Sequence, residues 1–200
     1  KFAYAFAQGL MIGCGLIIAI GPQNAFILSQ GIKRQHVFLQ AFVCTLCDMF
    51  LIALGVFGFG HFFSMHPSLI LFSRLLGAVF LTVYGAMSFR AACQPKVLED
   101  SDVSHGTQSA KQVIVVLLGL SLLNPHAYLD AVVLLGSLSA QYAGDSRYSF
   151  GCGAILASAI WFFSLSYGAT RLTPLFKSAR AWQFLDSLIG LTMLAIAFTL

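Results

Sequence analysis

The sequence of 200 residues has few charged side chains. Only 9% of its residues are Asp, Glu, Lys or Arg, whereas 58% are hydrophobic. A soluble domain carries roughly 25% charged residues, so this chain has too few to cover a surface exposed to water. The net charge of +4 is small, and the basic residues are scattered between apolar runs. This distribution argues against nucleic-acid binding, which needs a concentrated basic surface.

The sequence also lacks the signatures of soluble enzymes. It contains no glycine-rich phosphate loop, no zinc-ligand spacing and no Ser/His/Asp set in a suitable structural context. No signal peptide with a small-residue cleavage site precedes a polar domain, so the first apolar run is expected to be a retained membrane span. We therefore expect no enzymatic activity, no cofactor and no resident metal.

Six long apolar runs are present, and short polar segments separate them. They cover residues 2–31, 37–63, 67–93, 112–140, 148–170 and 181–200. Each run reaches the roughly 20 residues that an α-helix needs to cross about 30 Å of hydrocarbon. The pattern predicts an all-α membrane protein with six transmembrane helices embedded in a lipid bilayer.

The connecting segments differ in charge. Those after the first, third and fifth spans carry eight Lys or Arg residues, whereas the other two carry only Arg147. Because cytoplasmic loops are rich in basic residues, the first group is expected in the cytoplasm and both termini on the outer side.

A polar linker at residues 94–110 divides the chain into residues 1–93 and 111–200, with three spans in each part. An odd number of spans inverts the second part relative to the first. The two parts also show weak similarity around Pro22 and Pro125. We therefore predict an inverted 3+3 repeat, an arrangement that places a transporter's binding site at the membrane centre.

Spans 1 and 4 are expected to be broken at Pro22 and Pro125. The segments Gly21-Pro22-Gln23-Asn24 and Leu123-Asn124-Pro125-His126 put proline and polar groups inside apolar runs. Lipid cannot hydrogen-bond an open backbone, so such breaks persist only where protein or a water-filled cavity covers them. Paired breaks in matching positions point to a central substrate site. The alternative interpretation is a proline kink with local repair.

The restarting helices offer groups that bind a carboxylate. Proline suits the first position of a helix, and the free N–H groups there carry partial positive charge. An anion such as the carboxylate of an amino acid can bind at such an end. We expect the side chains of Gln23, Asn24, Asn124 and His126 to complete the hydrogen bonding.

Two carboxylates, Asp48 and Asp130, lie deep within spans 2 and 4. Each is roughly 16 Å from a membrane face by helix rise. An aspartate at the bilayer centre costs at least about 2.5 kcal/mol on insertion scales. No lysine or arginine lies at that depth in the same spans, so the neutralising cation could come from a substrate or from protons. The alternative is a protonated or hydrogen-bonded structural aspartate.

Aromatic side chains could complete a pocket for a cation, since a guanidinium or ammonium binds well over an aromatic face. Each of these aromatics could instead belong to the core or face lipid. The aromatic candidates are Phe26, Tyr128, Trp161, Phe162 and Tyr167.

The side chain of Arg74 in the third span could pair with a core carboxylate or extend to the outer interface.

The proline motifs and the aspartates resemble those of the lysine exporter (LysE) family, and the match is closest to its arginine-exporter branch. The resemblance implies export of L-arginine or L-lysine from the bacterial cytoplasm across the inner (plasma) membrane, driven by the electrochemical gradient. Cys47 stands where the family more often has serine. The motifs are Gly21-Pro22-Gln23-Asn24-Ala25-Phe26, Cys47-Asp48 and Leu123-Asn124-Pro125-His126-Ala127-Tyr128-Leu129-Asp130.

On this hypothesis the substrate lies between the broken helices, where Asp48 and Asp130 bind its positive groups, and protons are the candidate coupling ion for antiport. Two alternatives remain open. Cys44 and Cys47 have the spacing of a membrane thiol–disulfide carrier. His126 and Asp130, four residues apart on one helical face, could bind a divalent metal for export. Arginine and lysine stay equal expectations, and the pattern specifies no oligomeric state.

Overall fold

Helices form the framework of the described part of the chain, and no strand occurs in it. The computed structural model describes residues 1–18, 21–59, 65–93, 108–176 and 178–199, apart from the side chains of residues 59, 67, 69, 70, 73 and 74. A short 3₁₀ helix, Thr173–Phe176, follows the seventh helix. The helices are α1 (Phe2–Ile17), α2 (Pro22–Ile32), α3 (Val37–Leu54), α4 (Pro67–Cys93), α5 (Ala110–Leu122), α6 (Pro125–Ser139), α7 (Ser146–Thr170) and α8 (Ala179–Thr199).

Within the described residues, four segments are long and apolar enough to cross a membrane alone, and two bent helix pairs raise the number to as many as six. The pair α1 and α2 bends by 80°, and the pair α5 and α6 bends by 61°. The predicted all-α membrane fold is therefore confirmed, and the two bent pairs are the spans predicted to be broken. The four single segments are Val37–Gly58, Leu75–Cys93, Ser146–Thr170 and Ala179–Thr199.

Both breaks end where a proline starts a new helix. Pro22 is the first residue of α2, and the preceding Gly21 is extended, with φ −133° and ψ 175°. Pro125 starts α6 after Asn124, which has φ −85° and ψ 109°. Proline cannot donate a backbone hydrogen bond, and it disfavours the helical conformation of the residue before it. The sequence therefore imposes a helix end at each site whatever the surrounding packing.

Helix α7 lies at the centre of the bundle, against α1, α2 and α3. Its contact with α1 is close because both helices carry glycine there. A Cβ on Gly9 would overlap the carbonyl oxygen of Phe150, and one on Gly153 would overlap the carbonyl of Phe6. Small residues allow this approach of membrane helices. On the other side of the bundle, α4 packs against α8.

Helices α3 and α6 also cross in backbone contact. A Cβ built on Gly136 would lie 2.7 Å from the carbonyl oxygen of Gly55, and one on Gly55 would lie 2.5 Å from that of Ala131. Both helices have π-helical turns here, over Gly55–Phe59 and Tyr128–Leu134. The crossing lies two helical turns beyond Asp48 and directly after Asp130, at Ala131, so it helps to set the positions of both carboxylates.

The division into two repeats stays a prediction. Most of the predicted linker, residues 94–107, lies outside the described residues. Its end is described: Ser109 caps α5, accepting a hydrogen bond of 3.2 Å from the backbone N–H of Gln112. The side chain of Arg74, for which we considered two roles, is also outside the described part.

Candidate functional site

A cavity of about 360 Å³ lies between the two helix breaks. The last turn of α1 and the start of α2 form one side, and the α5–α6 junction with α6 forms the other. Asp48 of α3, Phe162 of α7 and Ile196 of α8 close the remaining walls. Seven of the eleven predicted site residues line it: Pro22, Gln23, Asn24, Asp48, Asn124, His126 and Asp130.

Asp48 is held in place by a neighbouring helix. Its Oδ2 accepts a hydrogen bond of 2.7 Å from the hydroxyl of Ser158 on α7, a residue that is fully buried. Within the described residues, Oδ1 has no hydrogen-bond donor, and no lysine or arginine is a charged neighbour of this carboxylate. Asp48 therefore presents an oriented carboxyl group to the cavity.

Asp130 has a different environment. It lies in the π-helical turn of α6, is partly buried, and accepts no hydrogen bond from the described residues. Among the described residues, His126, one helical turn earlier, interacts with Asp130 electrostatically. Lysine and arginine are again missing among its described charged neighbours. The cavity thus holds a second carboxylate, which no described residue orients by a hydrogen bond.

Asn24 spans the first break. Its Nδ2 donates to the carbonyl of Ile17, the last residue of α1, over 3.2 Å. Its Oδ1 accepts from Trp161 Nε1 of α7, also over 3.2 Å. The last carbonyls of a helix have no partner within it, so Asn24 satisfies one of the groups that the break releases.

Asn124 and Gln23 have contrasting roles. The side chain of Asn124 accepts a hydrogen bond of 3.1 Å from the backbone N–H of His126 and so caps α6. The amide nitrogen of Gln23 is buried and has no strong hydrogen-bond partner among the described residues, only a weak interaction with the thiol of Cys44. Because Gln23 lines the cavity next to the N-terminus of α2, it supplies a donor for an anionic group.

Four predicted site residues lie away from the cavity wall. Pro125 is buried at the start of α6. Phe26 is 1% exposed and packs in the core, with its ring edge against Tyr84 at 6.0 Å between centroids. Tyr128 is partly buried on α6. Trp161 acts through its hydrogen bond to Asn24.

Sequence reasoning missed Ser158, Ile52, Leu135 and Ile196. The last three close the cavity with apolar surface, and nothing in an apolar run distinguishes them from their neighbours. Ser158 had a weak signal, because it lies one turn before Trp161 on the same helix. Among the five aromatic candidates named from the sequence, Phe162 lines the cavity.

The cysteines and the histidine pair bear on the two alternatives. Cys44 and Cys47 are buried free thiols. The described residues contain no group of three His, Cys, Asp or Glu side chains arranged to hold a metal ion.

Comparisons with known proteins all point to one family of membrane transporters. The model of the LysE type translocator family matches residues 14–200. A protein of Aeromonas salmonicida named "Putative amino-acid transporter YggA" is 42% identical over 193 residues, which cover 96% of this chain and 93% of the relative. Arginine exporter protein ArgO is 40% identical in Yersinia enterocolitica and 38% in Serratia proteamaculans, each over 98% of this chain and 95% of the relative. No solved structure matches the chain.

Proposed function

The chain belongs to the LysE type translocator family, and from this premise we propose that it exports basic L-amino acids, L-arginine or L-lysine, from the bacterial cytoplasm. The observation that carries the proposal is the cavity between the two breaks, lined by Asp48 and Asp130. A basic amino acid has two positive groups and one carboxylate, and the cavity offers partners for all three.

The positive groups of the substrate bind to the two carboxylates. Taking an isolated charge out of water is unfavourable unless an opposite charge and hydrogen bonds compensate it. Among the described residues, no lysine or arginine is a charged neighbour of Asp48 or Asp130. The substrate supplies the missing cations, so binding relieves the cost of burying the two aspartates. A neutral amino acid would leave one of them uncompensated.

The substrate carboxylate binds at the start of α2. The amide nitrogen of Gln23, which has only a weak interaction with the thiol of Cys44, lies there. The first N–H groups of this 11-residue helix also carry partial positive charge. The volume of about 360 Å³ is within the usual range of small-molecule sites, roughly 300–1,000 Å³.

Transport requires that the cavity open to each side in turn. In our proposal the two three-span repeats rock against each other around the central site, as in other transporters with inverted repeats. Protons return through the same aspartates and couple export to the gradient. Both termini face the periplasm, and the membrane is the bacterial inner membrane.

The proposal is tested by uptake of radiolabelled arginine and lysine into inside-out vesicles. We expect accumulation above that of vesicles without the protein, and a decrease when the proton gradient is collapsed. Leucine, which has no distal cation, serves as the matched control. No uptake of either basic amino acid above the empty-vesicle level would refute the proposed function.

The same vesicles test the two alternatives. Nickel or cobalt should not compete with arginine if the site recognises guanidinium and ammonium groups. The double variant of Cys44→Ala and Cys47→Ala should keep arginine transport, since neither thiol enters the proposed binding. Strong metal competition, or loss of transport in a well-inserted double variant, would favour the metal or the redox alternative.

A further inference from the structure

A second place in the fold brings together a cation, an aromatic face and a carboxylate. Lys33, at the end of α2, has its Nζ 5.2 Å from the ring centroid of Trp182 on α8. Asp186 lies one helical turn after Trp182, so both side chains are on the same face of α8. Asp186 interacts electrostatically with Lys33 and with Tyr84 of α4. None of the four lines the central cavity.

The aromatic wall of this place is fixed. Trp182 is 4% exposed, and its Nε1 donates a hydrogen bond of 2.8 Å to the carbonyl of Phe176. The ring of Phe176 meets the indole edge to face, with 5.3 Å between centroids. The indole therefore cannot turn away from a cation over its face. We call Trp182, Asp186 and Tyr84 the Trp182 cage.

Lys33 occupies this cage without a direct ion pair to any acidic residue in the described part of the chain. Burial lowers the pKa of the Lys33 ammonium, and the charge of Asp186 only partly opposes that effect. The ammonium has thus lost water and gained the face of an indole and a carboxylate beyond contact distance. The cage therefore already holds a cation, over the indole face and within the electrostatic reach of Asp186.

The turn that carries Lys33 has a strained backbone. Arg34 and His36 are both left-handed, with φ of 54° and 49°. Such conformations in residues other than glycine cost roughly 1–3 kcal/mol and are frequent in switch regions. Side-chain hydrogen bonds hold the turn in place: Arg34 Nε donates to Thr173 Oγ1 over 3.3 Å, Thr173 Oγ1 donates to the carbonyl of Ile32 over 2.7 Å, and His36 Nε2 lies 2.9 Å from the carbonyl of Gln108.

We propose that the Trp182 cage is a second cation site, in which the guanidinium or ammonium group of a basic solute replaces Lys33 and thereby releases the α2–α3 turn. The exchange keeps the charge balanced, because one cation leaves Asp186 as another arrives. Lys33 returns to water. A planar guanidinium also stacks on an indole better than an ammonium does.

This site is at the end of the bundle that carries the basic loops, so on the proposed function it would meet the substrate before the central cavity does. The identity of the solute as arginine or lysine rests on that function. The existence of the cage does not, because it can be tested with a small cation in the absence of transport.

The test uses the fluorescence of Trp182 in the purified full-length chain. The sequence contains two tryptophans, so Trp161→Phe leaves Trp182 as the sole reporter. Methylguanidinium is titrated at constant ionic strength, and methylurea, of the same shape without the charge, is the matched ligand. We expect methylguanidinium to change the emission and methylurea to leave it unchanged.

Two substitutions in the reporter chain identify the exchange. Lys33→Ala empties the cage, so the midpoint of the methylguanidinium titration should fall at least about threefold. Asp186→Asn should raise it by a similar factor, whereas Asp145→Asn, in an exposed loop at the other end of the bundle, should not shift it. Lys33→Ser repeats the first measurement if the alanine variant does not purify as a single species.

The proposal is overturned if methylurea changes the emission as strongly as methylguanidinium, if emptying the cage leaves the midpoint unchanged, or if Asp145→Asn has the same effect as Asp186→Asn. These results are separable from the vesicle assay. Binding of methylguanidinium at the Trp182 cage without arginine transport would support the cage and refute the proposed function. Arginine export without any response of Trp182 would support the proposed function and refute the cage.

Discussion

The two helix breaks start from the same motif, a proline flanked by an amide, but they are repaired differently. At the first break, Asn24 reaches back to Ile17 and is itself held by Trp161 of α7. At the second, Asn124 caps its own helix through the N–H of His126, with no help from another element. The first break therefore depends on tertiary packing, whereas the second is local.

The carboxylates of the two sides differ in the same way. Asp48 is fixed by Ser158 of α7, and Asp130 lies in a π-helical turn without a hydrogen bond from the described residues. Helix α7 thus orients both polar groups of the first side, through two residues one turn apart. This difference suggests that the first side of the cavity is rigid and that the second adapts to the substrate.

The largest effect is expected from removing either negative charge. Asp48→Asn and Asp130→Asn should each lower arginine export at least about 30-fold, because losing one partner of a buried ion pair costs about 2–5 kcal/mol. Radiolabelled arginine flux into inside-out vesicles, normalised to the amount of protein in the membrane, measures the loss. Normal export by either variant would show that the replaced aspartate does not bind the substrate, so that only one side of the cavity would supply a carboxylate.

A smaller loss should follow when Asp48 keeps its charge but loses its support. Ser158→Ala removes a hydrogen bond to a charged group, worth about 1.5–3 kcal/mol, so we expect the KM for arginine to rise about tenfold. Ser164→Ala, an exposed serine on the same helix, is the control and should leave KM unchanged. An unchanged KM in the Ser158 variant would mean that Asp48 does not need α7 to orient it.

The breaks and the depth of the aspartates were predictable from sequence because they depend on local rules. Pro22 and Pro125 interrupt the helical hydrogen bonding wherever they stand within a helix, and the position of Asp48 along its span follows from helix rise. The rotation of a helix about its own axis is not local. It depends on which residues permit close approach, and here the backbone contact of Gly9 with Phe150 sets α7 against α1.

That rotation decided which side chains reach the cavity. Phe26 was predicted to line the site, but its helix turns it into the core against Tyr84. Trp161 lies behind Asn24, and Phe162, the next residue on α7, lines the cavity instead. Ser158 could not be singled out among several serines on α7 until the facing helix was known.

The bond between Trp161 and Asn24 provides a finer test of the rigid side. Trp161→Phe keeps the aromatic volume but removes the Nε1 donor, a neutral hydrogen bond worth about 0.5–1.5 kcal/mol. We expect arginine export to fall about threefold, measured as kcat/KM in the vesicles. Tyr167→Phe, which changes an exposed aromatic of the same helix, should have no effect. Equal losses in both variants would contradict a specific role for the bond.

The smallest effect tests whether the second break is truly local. Serine is as good a helix cap as asparagine, whereas alanine cannot accept the hydrogen bond and loses about 1 kcal/mol. Asn124→Ala should therefore lower the melting temperature of the purified protein, and Asn124→Ser should restore most of it. At Asn24 the shorter serine cannot span from Ile17 to Trp161, so Asn24→Ser should be no more stable than Asn24→Ala. Rescue by serine at both positions would show that the two breaks are repaired alike and that α7 does not distinguish them.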